Sequence, residues 1–143
     1  MNHSKPLKGI AVDCGCKGNP GIAEFRGVDI ETGKTLFYMQ IPGLSTNNIA
    51  EYLAAVTGLR YAQKRGLQVY SDSLTAISWV RQKRCKTKLI VDNYQQLSLI
   101  HLSDSFLQAN NLKVLFWNNK QFGETPADLS GHKGVKFVRP KKS

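Results

Sequence analysis

Hydrophobic residues in the first third of the chain fall in short β-prone segments that are separated by turn-forming residues. Residues 10–13 form an apolar run that enters a glycine-rich turn, residues 15–21, and residues 23–30 resume with strand-forming types. The sequence Glu31-Thr32-Gly33-Lys34 predicts a tight hairpin before a third strand, residues 35–41. This pattern predicts a three-stranded antiparallel meander.

The rest of the chain alternates segments of helical and strand periodicity. Residues 49–65 show helical spacing, follow a stretch rich in capping residues and stop at Gly66, as a helix with a glycine cap would. Residues 73–82 and 91–108 predict two further helices, and residues 68–70 and 112–117 predict short strands. The order βββαβααβ predicts an α/β fold. Its mixed five-stranded sheet has three antiparallel strands followed by parallel strands, with helices on its faces.

Length and composition fit a single domain, residues 1–143, with a basic C-terminal tail at about residues 135–143. At 143 residues and 41% hydrophobic content the chain can bury one core and is short for two domains. No apolar stretch is long enough for a signal peptide or a membrane span. Three cysteines, Cys14, Cys16 and Cys85, suggest reduced thiols. We therefore expect a cytoplasmic protein without a membrane segment, and a monomer.

The charge of the chain points to a polyanionic partner. Its 20 basic and 10 acidic residues give a net charge of +10, and such a surface gains affinity for nucleic acid by releasing counterions from phosphates. A highly soluble basic protein is the alternative. Five of the cations lie at the end of the second predicted helix and just after it, and they either form a solvated helix end or contact nucleic acid: Arg81, Lys83, Arg84, Lys86 and Lys88.

Four of the acidic residues have small or apolar neighbours, which is unusual for charged groups: Asp13, Glu51, Asp72 and Asp128. Asp13 is predicted to end the first strand and Asp72 to follow the fourth, at the edge where ligands bind in α/β sheets. Glu51 begins a stripe of otherwise small residues that should pack against the sheet: Glu51, Ala55, Gly58 and Ala62.

Carboxylates that converge with no arginine or lysine in their motifs need another cation. Hard oxygen ligands select Mg²⁺ or Mn²⁺, and a pair of such ions is a standard device for attack on a phosphodiester. Three of the four carboxylates also have a structural interpretation, whereas no capping role explains Asp13 at the end of an apolar strand. Asn48 with Glu51 fits a capping box, Asp72 or Ser73 fits the cap of the second helix, and Asp128 fits the cap of a terminal turn.

Three motifs, in order and spacing, resemble the type 1 ribonuclease H family: residues 13–21 (DCGCKGNPG), 46–52 (TNNIAEY) and 70–73 (YSDS), followed by Ala127-Asp128. The resemblance spans about residues 9–131. The Gly-Glu and Ala-Asp pattern of residues 123–128 is similar to the compact bacterial branch, which has no hybrid-binding domain. The resemblance implies a ribonuclease H-like fold and an enzyme that hydrolyses the RNA strand of RNA–DNA hybrids. The resemblance also implies two Mg²⁺ ions in the active site, with Mn²⁺ as a substitute, and a reaction that leaves 5′-phosphate and 3′-hydroxyl ends.

The resemblance also implies roles for the carboxylates. Asp13 would bridge both metal ions, and Asp128 would complete the site that activates the attacking water. Glu51 and Asp72 would complete the site that stabilises the leaving oxygen. Glu124 matches a position thought to assist metal positioning or product release, although a solvated loop carboxylate is an equal alternative.

Recognition of RNA requires groups that reach the 2′-hydroxyl in a wide, shallow minor groove. The resemblance places Asn19 and Asn48 there, together with backbone groups of the turn that contains Gly15 and Cys16. Thr46 and Asn19 are candidates for holding a DNA-strand phosphate. The same residue types also serve as turns and caps.

The chain departs from the family pattern at Cys14, where glycine is usual, at Leu74, where polar residues are frequent, and in lacking a full helix after Asp128. A second hypothesis is therefore a non-catalytic hybrid-binding module of the same fold. A third, a DNA-directed relative such as a resolvase or transposase core, is disfavoured by Asn19 and Asn48.

Overall fold

A computed structural model describes residues 5–129 of the chain, which contain a five-stranded sheet of order β3-β2-β1-β4-β5. The strands are β1 (Ile10–Gly18), β2 (Gly21–Asp29), β3 (Thr35–Gln40), β4 (Val69–Ser71) and β5 (Leu115–Phe116). The first three pair antiparallel, β4 is parallel to β1, and β5 is parallel to β4. The predicted mixed α/β sheet is confirmed.

Four helices accompany the sheet: α1 (Asn47–Gln63), α2 (Leu74–Gln82), α3 (Tyr94–Ala109) and α4 (Asn119–Phe122). The first three begin after side chains that accept a hydrogen bond from the backbone amide three residues on, namely Thr46, Ser73 and Asn93. Because Asn93 is the cap, α3 starts later than predicted. The single turn α4 was not predicted.

Strand β1 is longer than predicted, and Asp13 lies within it instead of at its end. The antiparallel ladder with β2 continues from Asp13 to Gly18, so the expected glycine-rich turn is reduced to Asn19 and Pro20. A side chain at Gly21 would lie 1.9 Å from the Lys17 carbonyl oxygen, which explains the glycine at this tight hairpin. The parallel pairing with β4 does stop at Val12, so Asp13 is the first residue beyond it.

Helix α1 packs closely against one face of the sheet along the predicted small stripe. Ala55, Gly58 and Ala62 are all buried. A Cβ atom at Gly58 would lie 3.0 Å from side-chain carbons of both Val12 and Val69, so glycine lets the helix lie against β1 and β4. The inward orientation of the stripe is thereby confirmed.

The C-terminal part of the described chain returns to the sheet. Strand β5 is shorter than predicted, and the fully buried Trp117 follows it. The Trp117 amide donates to the Ser71 carbonyl at 2.8 Å, and its indole donates to the Gly123 carbonyl at 2.9 Å. Ala127 then joins Ala11 and Val28 in a small apolar cluster on the other face of the sheet. Residues 119–129 therefore lie beside the part of β1 that contains Asp13.

The cysteines are free thiols, as predicted. None of the helices within residues 5–129 has the length and apolar character of a membrane span. The predicted basic tail at residues 135–143 lies outside the described residues. That residues 1–143 form one domain remains a prediction.

Candidate active site

Three of the predicted carboxylates meet where the parallel pairing of β1 with β4 ends. Asp13 on β1, Glu51 on α1 and Asp72 after β4 each place an oxygen within 4.8 Å of the others. Asp13 and Glu51 are only 8% and 5% exposed. Three elements distant in sequence thus bring together acidic groups that repel each other unless a cation or protons are present.

Glu51 has no part in capping its helix. The cap of α1 is Thr46, whose extended backbone lets its side chain accept from the Ile49 amide at 3.2 Å, so the capping box of Asn48 and Glu51 is wrong. Glu51 lies further along the helix, and its Oε1 atom is buried without a hydrogen-bond partner among residues 5–129. A buried carboxylate oxygen in this state is costly, which favours a cation beside it.

Asp72 does not cap its helix either, because Ser73 is the cap of α2 and accepts a hydrogen bond from the Ala76 amide at 3.0 Å. Its Oδ2 atom instead accepts a hydrogen bond from Asn119 Nδ2 at 2.9 Å. Sequence reasoning missed Asn119, since this contact depends on the unpredicted turn α4. The available signal was a polar pair, Asn118-Asn119, directly after an apolar strand.

Asp128 reaches the same edge on a turn. The Asp128 amide donates to the Thr125 carbonyl at 3.1 Å, and the next amide, that of Leu129, donates to Asp13 Oδ2 at 3.2 Å. Asp128 is half-buried and stands outside the closest group of three. Whether it caps a following turn concerns residues beyond the described part of the chain.

Arg26 is a cation that sequence reasoning missed. It lies on β2 directly opposite Asp13 and donates to three successive carbonyls: Nε to Ala127 at 2.9 Å and one terminal nitrogen to Pro126 at 3.3 Å and Asp128 at 3.1 Å. No arginine or lysine is next to these carboxylates in the sequence, but the cross-strand register places Arg26 opposite Asp13. Detecting it required the correct length of the hairpin between β1 and β2.

An open pocket of about 550 Å³ joins these groups. Glu124, exposed on the rim, lies in it beside Asp128. The full lining consists of Asp13, Cys14, Asn47, Glu51, Asp72, Ser73, Leu74, Thr75, Asn119, Glu124 and Asp128. All five carboxylates singled out from the sequence therefore face one cleft.

Of the predicted RNA-reading residues, Gly15 and Cys16 on β1 line a neighbouring groove of about 700 Å³, whereas Asn19, Thr46 and Asn48 are not part of its lining. Asn19 Oδ1 accepts from the Asn47 amide at 3.1 Å and so joins the hairpin to the start of α1. Asn47, instead of Asn48, lines both this groove and the carboxylate pocket, and Asn48 is exposed on the first turn of α1.

Electrostatics at the site favour protons or cations. Burial, followed by the charge of Asp72, raises the pKa of Asp13, and burial with the charges of Asp13 and Asp72 raises the pKa of Glu51. Burial and the charge of Glu51 raise the pKa of Cys14, so this thiol stays neutral. Hard carboxylate oxygens, one of them without a partner in the described part of the chain, fit a divalent ion such as Mg²⁺ or Mn²⁺.

Comparison with known families shows a match of residues 11–110 to the family described as reverse transcriptase-like. The matched segment contains Asp13, Glu51 and Asp72 and ends before Glu124 and Asp128.

Several solved structures are similar to this chain. The N-terminal RNase H domain of Rv2228c from Mycobacterium tuberculosis is 24% identical, with 78% of this chain and 81% of that chain covered and a TM-score of 0.45. RNase H1 from the halophilic archaeon Halobacterium salinarum is 18% identical, with 80% and 90% covered and a TM-score of 0.49. LC11-RNase H1, solved in complex with an RNA/DNA hybrid, is 26% identical, with 78% and 86% covered and a TM-score of 0.48.

Proposed function

The chain belongs to the reverse transcriptase-like family of the ribonuclease H-like superfamily, and from this premise we propose that it is an endonuclease that hydrolyses the RNA strand of RNA–DNA hybrids. The observation that carries the proposal is the group of Asp13, Glu51 and Asp72, whose oxygens lie within 4.8 Å of one another. Capping roles are absent for Glu51 and Asp72, because Thr46 and Ser73 are the caps of their helices. The carboxylates are therefore available for chemistry.

The donor set fits two Mg²⁺ ions, with Mn²⁺ as a substitute. When bound, such ions neutralise charge on the phosphodiester and lower the pKa of a water molecule. Asp13, which lies close to Glu51 and Asp72 and accepts from the residue after Asp128, would be shared between the two positions. Glu51 and Asp72 would complete one position and Asp128 the other, while Glu124 at the rim would assist metal positioning or product release.

The protein orients these groups through its backbone and through one amide side chain. The Leu129 amide holds Oδ2 of Asp13, and Asn119 holds Oδ2 of Asp72. Glu51 is held by a helix that lies close to the sheet at Gly58. In the proposed reaction water forms the new bond to phosphorus and the bond to the 3′-oxygen breaks. That oxygen takes up a proton, which leaves a 5′-phosphate and a 3′-hydroxyl.

The neighbouring groove is the proposed site of RNA recognition. Backbone groups of β1 at Gly15 and Cys16 lie along it, and Asn19 links this strand end to α1. Together with Thr46 and Asn48, these groups are proposed to contact the 2′-hydroxyls and a DNA-strand phosphate, since a 2′-hydroxyl both donates and accepts hydrogen bonds. The basic residues near the end of α2, Arg81 to Lys88, would contact the nucleic acid backbone.

End-labelled RNA–DNA hybrid, duplex DNA and duplex RNA, each incubated with the protein and Mg²⁺, test the proposal. We expect cleavage of the RNA strand of the hybrid alone, with 5′-phosphate and 3′-hydroxyl ends. Asp13→Asn should bind hybrid with near-normal affinity and not cleave it. Asp92→Asn, which alters an exposed acid outside the pocket, is the matched control. Wild-type protein that binds hybrid but leaves it intact would support the non-catalytic binding module instead.

A further inference from the structure

Asp128 depends on a turn for its position, whereas the other three carboxylates of the proposed metal set are placed by a strand, a helix and a strand end. Within residues 5–129 the turn shows two internal hydrogen bonds, from the Ala127 amide to Thr125 Oγ1 at 3.3 Å and from the Asp128 amide to the Thr125 carbonyl at 3.1 Å. Two bonds of this kind hold a backbone weakly, and a metal ligand must be held to within about 0.5 Å. The turn therefore needs support from elsewhere.

Arg26 supplies such support from β2. Its guanidinium donates to the carbonyls of Pro126, Ala127 and Asp128 at 3.3, 2.9 and 3.1 Å, and its second terminal nitrogen donates to Thr35 Oγ1 at 3.3 Å. Only arginine has enough donors in a rigid planar array to bind three successive carbonyls from one side chain. A lysine at this position could form some of these hydrogen bonds but not all of them.

The same strand pair holds Asp13. Arg26 and Asp13 are directly opposite each other in the β1–β2 ladder, and Asp13 Oδ2 accepts from the Leu129 amide at 3.2 Å. The turn is thus tied on one side to Asp13 and on the other to its cross-strand neighbour. This arrangement sets the separation between Asp13 and Asp128.

We propose that Arg26 is a positioning residue that holds the 125–129 turn so that the Asp128 carboxylate completes the metal site; this rests on the proposed nuclease function of that site. Arg26 holds the backbone of the turn and touches no reacting atom. Its main contribution passes through Asp128.

A double-mutant cycle tests this route. Arg26→Gln should lower kcat for hybrid cleavage by about 10- to 100-fold with KM changed less than about twofold, because it removes orientation and leaves the groove intact. In an Asp128→Asn background the same change should cost less than about twofold. Arg26→Lys should lie between wild type and Arg26→Gln. Equal losses from Arg26→Gln in both backgrounds would overturn the proposal.

Arg65→Gln is the matched control, since Arg65 also donates to a backbone carbonyl, that of Tyr61 at 3.0 Å, but on the exposed end of α1. It should leave kcat unchanged. A loss of kcat in this control equal to that of Arg26→Gln would assign the effect to general stability.

Amide hydrogen exchange provides a readout that needs no cleavage. In Arg26→Gln and Arg26→Lys the Leu129 amide should exchange at least about tenfold faster, while the Trp117 amide, bonded to Ser71 at 2.8 Å, should keep its protection and report that the sheet is folded. Unchanged protection at Leu129 with a folded sheet would overturn the positioning role. If the wild type cleaves no hybrid, the nuclease proposal fails and the exchange data still decide whether Arg26 holds the turn.

Discussion

Two regions of the molecule contribute carboxylates to the proposed active site in different ways. Asp13, Glu51 and Asp72 come from β1, α1 and the residue after β4, so the packing of helix against sheet places them. Asp128 comes from a turn that is held by hydrogen bonds to β1 and β2. The first region is set by the core and the second by polar contacts. Mutations should therefore affect the two regions to different degrees and in different ways.

The largest difference should separate Asp13→Asn from Asp128→Asn. We expect Asp13→Asn to lower kcat by about 1000-fold or more at any Mg²⁺ concentration, because it removes a member of the close group that also accepts a hydrogen bond from the residue after Asp128. Asp128→Asn leaves Asp13, Glu51 and Asp72 together, so its loss should be smaller and should shrink as Mg²⁺ is raised. Cleavage rates of labelled hybrid across a Mg²⁺ titration measure both.

Asp92→Asn serves as the control for this pair, since it removes one exposed negative charge without touching the cleft. If Asp128→Asn is as inactive as Asp13→Asn at every Mg²⁺ concentration, the two regions are equally essential and the distinction between them is lost.

The region set by the core was also the one that sequence could predict. The small stripe of α1 and the position of Asp72 after a strand follow from hydrophobic periodicity, which reports burial. The stripe is confirmed by the burial of Ala55 and Ala62 and by the close approach at Gly58. The grouping of Asp13, Glu51 and Asp72 follows from the sheet topology that the pattern predicts.

The region set by polar contacts was largely beyond sequence reasoning. Arg26 reaches the site because the ladder between β1 and β2 runs through the glycines to Gly18, and the sequence instead indicates a long turn there. Asn119 reaches Asp72 through a single helical turn, which has too few residues for a periodic signal. Choosing Thr46 over Asn48 as the cap of α1 depends on a backbone conformation that both residue types allow.

The raised pKa values of Asp13 and Glu51 predict how the stability of the metal-free protein depends on pH. The native pKa values of Asp13 and Glu51 are raised, so between about pH 4, where unfolded carboxyls titrate, and these raised values the native state binds more protons. Stability without metal should therefore fall as pH rises through this window. Because Mg²⁺ binds the ionised carboxylates, its effect on Tm should be larger at pH 8 than at pH 5.

Glu51→Gln sharpens this prediction, since it replaces a buried ionisable group whose Oε1 atom has no hydrogen-bond partner among the described residues. Metal-free Glu51→Gln should melt about 3–6 °C above wild type at pH 8, roughly 1–2 kcal/mol, and its Mg²⁺-induced shift should be smaller. Calorimetry at the two pH values checks both statements, with Glu31→Gln, in an exposed turn, as the control. An equal Mg²⁺-induced shift at pH 5 and pH 8 would contradict the assignment of these carboxylates as the metal ligands.

The smallest effect should come from Asn119→Ala. This substitution tests the hydrogen bond by which the residues after β5 contact Asp72, a member of the first region. The substitution removes one hydrogen bond to Asp72 Oδ2, and an exposed bond of this kind is worth about 1 kcal/mol, or about fivefold in kcat. KM for the hybrid should not change, and Lys120→Ala on the same helical turn should leave both constants unaltered. If Asn119→Ala costs as much as Asp128→Asn, the position of Asp72 depends on the residues after β5, and polar contacts as well as packing place this carboxylate. If kcat falls only about fivefold, the end of β4 and the cap of α2 fix the position of Asp72. Asn119 then only limits the rotation of the Asp72 carboxylate.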